Sequence, residues 1–75
     1  MNAATLSRSS RLQATLLALT RAGARGLTTH ALADATGSMA CHSDVSELRA
    51  NGIAVTCVYE GRTHNGRKIY RYTIQ

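Results

Sequence analysis

A chain of 75 residues makes one small domain, of a size at which about 60–65% of the unfolded surface becomes buried. It contains no Trp, no Phe and no Pro, so its core must be aliphatic, helped by three Tyr late in the sequence. Nine Lys plus Arg against four Asp plus Glu give a formal net charge of +5, and eight of the nine cations are Arg. The guanidinium fork matches phosphate oxygens in a bidentate way, so this surplus points to nucleic acid before other acidic partners. The longest apolar run falls far short of the roughly 20 residues of a membrane span, and the N-terminus has no apolar signal-peptide core. Both features predict a cytoplasmic protein with reduced thiols and no membrane partner.

Residues 1–9 are polar, small and unpatterned, and read as a flexible arm. With Arg8 and Arg11 such an arm has the charge to touch phosphate or a minor groove; a passive tail is the alternative. From Ser10 the pattern tightens. Ser10 and Gln13 have the spacing of a capping box, Leu12, Leu16 and Leu19 share one helical face with Leu17 on its flank, and Gly23 is placed as a stop. The first helix is therefore predicted from Arg11 to Ala22, with Arg21 near its end suiting the helix dipole.

The stretch from Leu27 to Ile53 reads as a short helix, a glycine turn, a second helix and an exit into a strand. Thr28 or Thr29 caps the first of these, Ala31, Leu32 and Ala35 share its apolar face, and Gly37 ends it in a positive-φ conformation. Beyond the turn Cys41, Val45 and Leu48 recur at i, i+4 and i+7, which marks a buried stripe, and Asn51-Gly52 stops the helix. Two short helices joined by a glycine-containing turn have the layout of a helix-turn-helix. Opposite the stripe lie Met39, Ser43, Ser46 and Ala50, with His42 and Arg49 alongside. These are mostly small or hydrogen-bonding side chains that permit close approach to base edges in a major groove. A plain solvated helix face has the same composition.

After Gly52 the period changes to two. Val55, Cys57 and Tyr59 alternate with Thr56, Val58 and Glu60, and Asn65-Gly66 signals a two-residue hairpin turn. That turn pairs His64 with Arg67, Tyr59 with Tyr72 and Cys57 with Ile74, and sets Glu60 opposite Arg71. Arg62, His64, Arg67 and Lys68 then cluster at the tip, where positive charge either protects an exposed edge or meets phosphate.

Helix, helix, turn, helix and hairpin over residues 10–75 resemble a winged helix-turn-helix domain. More narrowly, Gly37 followed by Val45, Leu48-Arg49, Gly52 and Ile53, with Tyr70-Arg71-Tyr72 in the last strand, resembles the small phage- and prophage-encoded winged-helix proteins. Where the wider family has its buried residue six places after the turn glycine, this chain has Ser43, and Val45 comes eight on. The resemblance implies an α+β fold with a three-helix core and a two-stranded β-hairpin wing. It also implies sequence-specific binding of double-stranded DNA in a bacterial host cell, as a small transcriptional regulator. Met39, His42, Ser43, Ser46 and Arg49 would then read bases, and Arg62, His64, Arg67 and Lys68 would hold the backbone. A homodimer on DNA is expected, since one domain this small covers few base pairs. The alternative within the same fold is an adaptor that binds a host replication or defence protein.

Catalysis has no support in the residue pattern. Asp34, Asp44, Glu47 and Glu60 form no pair with a nucleophile and base beside it, and no serine has a glycine-flanked elbow. Cys41, His42, Cys57 and His64 match no zinc-ligand spacing, and both cysteines fall on faces predicted to be buried. No metal, cofactor or small-molecule ligand is expected.

Overall fold

The computed structural model describes residues 5–74. It is an α+β domain of three helices and a three-stranded antiparallel sheet: α1 (Ser10–Ala22), β1 (Leu27–Thr28), α2 (Thr29–Thr36), α3 (Cys41–Ala50), β2 (Val55–Arg62) and β3 (Lys68–Ile74). None of the helices among the described residues is long and apolar enough to cross a membrane.

Helix α1 begins one residue before the predicted start. Its cap is Ser9, whose Oγ accepts from the Leu12 amide at 3.2 Å, while Gln13 reaches the Leu6 carbonyl instead of closing a capping box. Of the segment read as an arm, residues 1–4 lie outside the described residues. Leu6–Arg8 form a short 3-10 turn, the Leu6 amide donates to Asn51 Oδ1 at 3.0 Å, and the Leu6 side chain packs against the core. Leu12 and Leu19 are buried as expected and Leu17 is half exposed; Thr15 joins the buried set, its hydroxyl satisfied by the Arg11 carbonyl at 3.0 Å.

Thr28 caps α2 through the Ala31 amide, and Gly37 ends it in the left-handed conformation with φ 73°. Leu32 is buried in this helix, whereas Ala35, predicted on the same face, is exposed. In α3 the stripe Cys41, Val45 and Leu48 is buried, and it meets Leu12, Leu19, Leu32, Val55 and Tyr72 in one cluster.

The sheet has three strands, not the two read from the sequence. Leu27 and Thr28 pair with Tyr72 and Arg71, which places β3 at the centre in the order β1-β3-β2. Two residues are too short a run for the strand period to be legible. The β2–β3 register also differs from the prediction. Cys57 pairs with Tyr72 and not Ile74, and Tyr59 with Tyr70 and not Tyr72.

Two local features cause the shift. At the tip no two-residue turn forms. Among the described residues every positive φ is a glycine's, so Asn65 does not enter the left-handed region and Gly66 alone does, at φ 83°. The result is a three-residue loop closed by Thr63 and Arg67, with the Thr63 amide donating to the Arg67 carbonyl at 2.8 Å and the Gly66 amide to Thr63 O at 2.9 Å. Thr63 Oγ1 accepts from the Asn65 and Arg67 amides, both at 3.2 Å, which favours this loop over the shorter one. Lower down, Glu60 is an extra residue between the pairs Tyr59–Tyr70 and Gly61–Ile69. The net displacement is two residues, so the facing pattern predicted for Val55, Tyr70, Tyr72 and Ile74 survives. Tyr59, half exposed, is one exception and Cys57 is another. Its side chain is exposed, so it is not the core cysteine the alternation suggested; both cysteines are free thiols.

Candidate functional site

The exposed side of α3 is built by exclusion. Cys41, Asp44, Val45 and Leu48 turn inward, so Ser43, Ser46 and Ala50 are left on the outer face, as the helical period predicts. Met39 is not on this helix. It sits in the turn before Ala40, with 93% of its surface exposed. Helix α3 starts only at Cys41, and four residues separate it from α2.

His42 and Arg49 are partly committed to the fold. His42 Nδ1 lies 2.8 Å from the Tyr72 hydroxyl, and its ring makes edge contacts with Tyr70 and Tyr72 at centroid distances of 5.2 and 5.8 Å. The Arg49 guanidinium donates through Nε and Nη2 to the Val55 carbonyl at 3.0 and 2.8 Å, which ties the end of α3 to the start of β2. Burial pushes the Tyr72 phenol up to about 12 and also raises the Cys41 thiol, so both stay protonated at neutral pH.

Four cationic or titratable side chains gather at the hairpin end. Arg62 donates to the Gly66 carbonyl at 2.9 Å and so braces the loop. His64, Arg67 and Lys68 are exposed and take part in no ion pair among the described residues. The bulge at Glu60 matters for where these groups point. Without it Arg62 would alternate onto the face opposite Tyr59. With it, Arg62 pairs with Lys68, and Lys68 shares its face with Tyr70 and Tyr72. That is the face against which His42 packs. Tyr59, which is exposed and lies 5.6 Å from the Tyr70 ring, continues it. A line of rings, His42 to Tyr70 to Tyr59, therefore connects the first turn of α3 with the cationic hairpin.

Sequence reasoning missed Tyr59 and Tyr70 as members of this surface because all three Tyr were expected to fill the core. The alternation of Tyr70 and Lys68 in one strand was the available signal. It also missed the destination of Arg11. This residue does not belong to a free arm: its guanidinium bonds Asp44 and, at 2.7 Å, Glu47. Arg71 pairs with Glu60 at 2.8 Å although Glu60 is the bulged residue and Val58 the one opposite. These pairs engage three of the four acids, which leaves the hairpin tip as unopposed positive charge.

A groove of about 590 Å³ separates that tip from the start of α2, lined by Thr28, Thr29 and His30 on one side and by His64, Arg67 and Lys68 on the other. Its cationic wall suits an anionic group, and it contains no carboxylate. No family model, no curated protein and no solved structure matches this chain.

Proposed function

We propose that the chain is a winged helix-turn-helix protein that binds double-stranded DNA, acting as a small transcriptional regulator. In this reading α3 enters the major groove and the β2–β3 hairpin is the wing on the phosphate backbone. The observation that carries it is the continuous surface just described. The small outer face of α3 is joined through His42, Tyr70 and Tyr59 to a hairpin tip whose cations have no acidic partner among the described residues.

The chemistry divides between the two ends of that surface. Ser43 and Ser46 offer hydroxyls that donate or accept at base edges, and their size lets the helix backbone approach. Met39 extends apolar surface toward a thymine methyl. His42, held by the Tyr72 hydroxyl, presents a ring of fixed orientation, and Arg49 has a supporting part because its guanidinium already bonds the Val55 carbonyl. Arg67 and Lys68, with Arg62 and His64 beside them, position the protein by phosphate contact without reading sequence.

The test is duplex binding by fluorescence anisotropy over a series of salt concentrations, with a selected site and a scrambled one. Arg67→Ala or Lys68→Ala should weaken binding to both duplexes alike and flatten the log–log salt dependence by about one unit per lost contact. Ser43→Ala and Ser46→Ala should cost about 1–3 kcal/mol on the selected site and leave the scrambled one nearly unchanged. Absence of duplex binding at low salt refutes the reading.

A further inference from the structure

A second surface, which meets the groove above only at Thr28, has a different character. Along the outside of α1, Ala14, Leu17, Ala18 and Arg21 follow one another at helical spacing, and the neighbouring wall is Ala35 of α2. The groove between them measures about 430 Å³ and is mainly apolar; Leu17, half exposed, is its most exposed large apolar side chain. Arg21, Ala22 and Leu27 belong both to this groove and to a second cleft of about 480 Å³, which Arg25 and Arg71 complete. One continuous trough thus has an apolar half and a half walled by three guanidinium groups.

Two of the three arginines have no acidic partner among the described residues. Arg71 has Glu60 at 2.8 Å and the Arg25 carbonyl at 2.9 Å, while Arg21 and Arg25 enter no ion pair among the described residues. Like charges lining one cleft repel, and a bound anion relieves that repulsion. A helix-dipole contact accounts for Arg21 and the Glu60 pair for Arg71, but neither accounts for Arg25 on the same cleft.

We propose that this trough is a docking site for an acidic amphipathic segment of a partner protein, with apolar side chains against Leu17 and the alanines and carboxylates on Arg21, Arg25 and Arg71. Charge complementarity selects an acidic occupant. The apolar half selects peptide over nucleic acid, because a phosphate backbone offers nothing to cover Leu17 and Ala14. The small alanine walls let a helix backbone approach closely. This inference stands without the DNA-binding reading, since Arg21, Arg25 and Leu17 have no part in it.

The experiment uses the full chain labelled with 15N and two synthetic peptides of identical composition. One carries leucines at helical i, i+3, i+4 and i+7 spacing with glutamates elsewhere; the other is scrambled so that it has no apolar face. The ordered peptide should shift the amides of Ala14, Leu17, Ala18, Arg21 and Ala35. Leu17→Ser, and separately the pair Arg21→Glu and Arg25→Glu, should each weaken it by about tenfold or more, which is about 1.4 kcal/mol. Arg67→Glu should change it less than about twofold, the effect of a distant screened charge. All the substituted side chains are solvent-exposed, and circular dichroism verifies that each variant is folded. The proposal is overturned by equal binding of the scrambled peptide, by shifts centred on residues 62–68, by no shift at millimolar peptide, or by duplex DNA shifting the same groove amides.

Discussion

Replacing Arg11 by alanine should destabilise the domain by about 2–3 kcal/mol, a large share of the total available to it. The value follows from the asymmetry of the ion pair. Asp44 is 1% exposed and its second carboxylate oxygen has no partner among the described residues, so Arg11 carries much of the compensation for a charge out of water. Breaking a buried pair by removing one partner costs about 3–5 kcal/mol. Arg11 itself is 40% exposed, so its loss opens a path for water to Asp44, which brings the expected cost to the lower value. Against a total of about 4–11 kcal/mol for a chain of this length, the variant is near the edge of folding.

Urea unfolding followed by circular dichroism measures the effect. With a slope of about 1 kcal/mol per molar, the midpoint should fall by about 2–3 M. Asp44→Asn removes the buried charge, and in that background Arg11→Ala should cost at least about 1 kcal/mol less. A cost below about 0.5 kcal/mol in the parent, or the same cost in both backgrounds, refutes the assignment of Arg11 as the partner that compensates the buried Asp44. Under conditions where both proteins are folded, duplex affinity should be unchanged by Arg11→Ala, because a guanidinium engaged by two carboxylates has little left for phosphate.

Three further outcomes are expected. Leu48→Ala empties the centre of the core cluster and should cost about 2–5 kcal/mol by thermal or urea melting; a melting point within a degree or two of the parent's places the buried stripe on another face. The Tyr72 phenol is pushed up to about 12 when folded, against an ordinary value near 10, so the stability it contributes is complete below pH 10 and is lost as pH rises through 12, by about 2–3 kcal/mol. Urea melts between those pH values should show this decline, and Tyr72→Phe should flatten it. Thr63→Val removes the acceptor of two amide bonds at the hairpin tip and should cost about 1 kcal/mol, with faster hydrogen exchange at Asn65 and Arg67 and no change at Leu48.

What was legible in the sequence is what local chemistry decides. Helical spacing identified Cys41, Val45 and Leu48 as an inward stripe, Thr28 carried the information for a cap, and Gly37 and Asn51-Gly52 marked helix ends. Alternation chose the inward faces of Tyr72 and Val55. The basic hairpin was equally visible, because charge composition needs no coordinates.

Other features depended on contacts between distant segments. The third strand is only Leu27 and Thr28, and it exists because β3 supplies the partner groups. The register followed from a Thr63-closed loop and from the bulge at Glu60. A dipeptide turn signal cannot weigh these against each other, since an even shift leaves the hydrophobic pattern intact. Arg11 and Asp44 lie thirty-three residues apart in sequence, and nothing near either announces that a buried carboxylate and a guanidinium will meet. The candidate surface shows the same division. Helical period determined which residues of α3 face outward, but tertiary packing decided that His42 turns toward Tyr70 and Tyr72, that Arg49 braces Val55, and that the bulge at Glu60 brings Arg62 onto the face of Lys68. Local pattern sets which side of an element is apolar, and only the fold sets what that side meets.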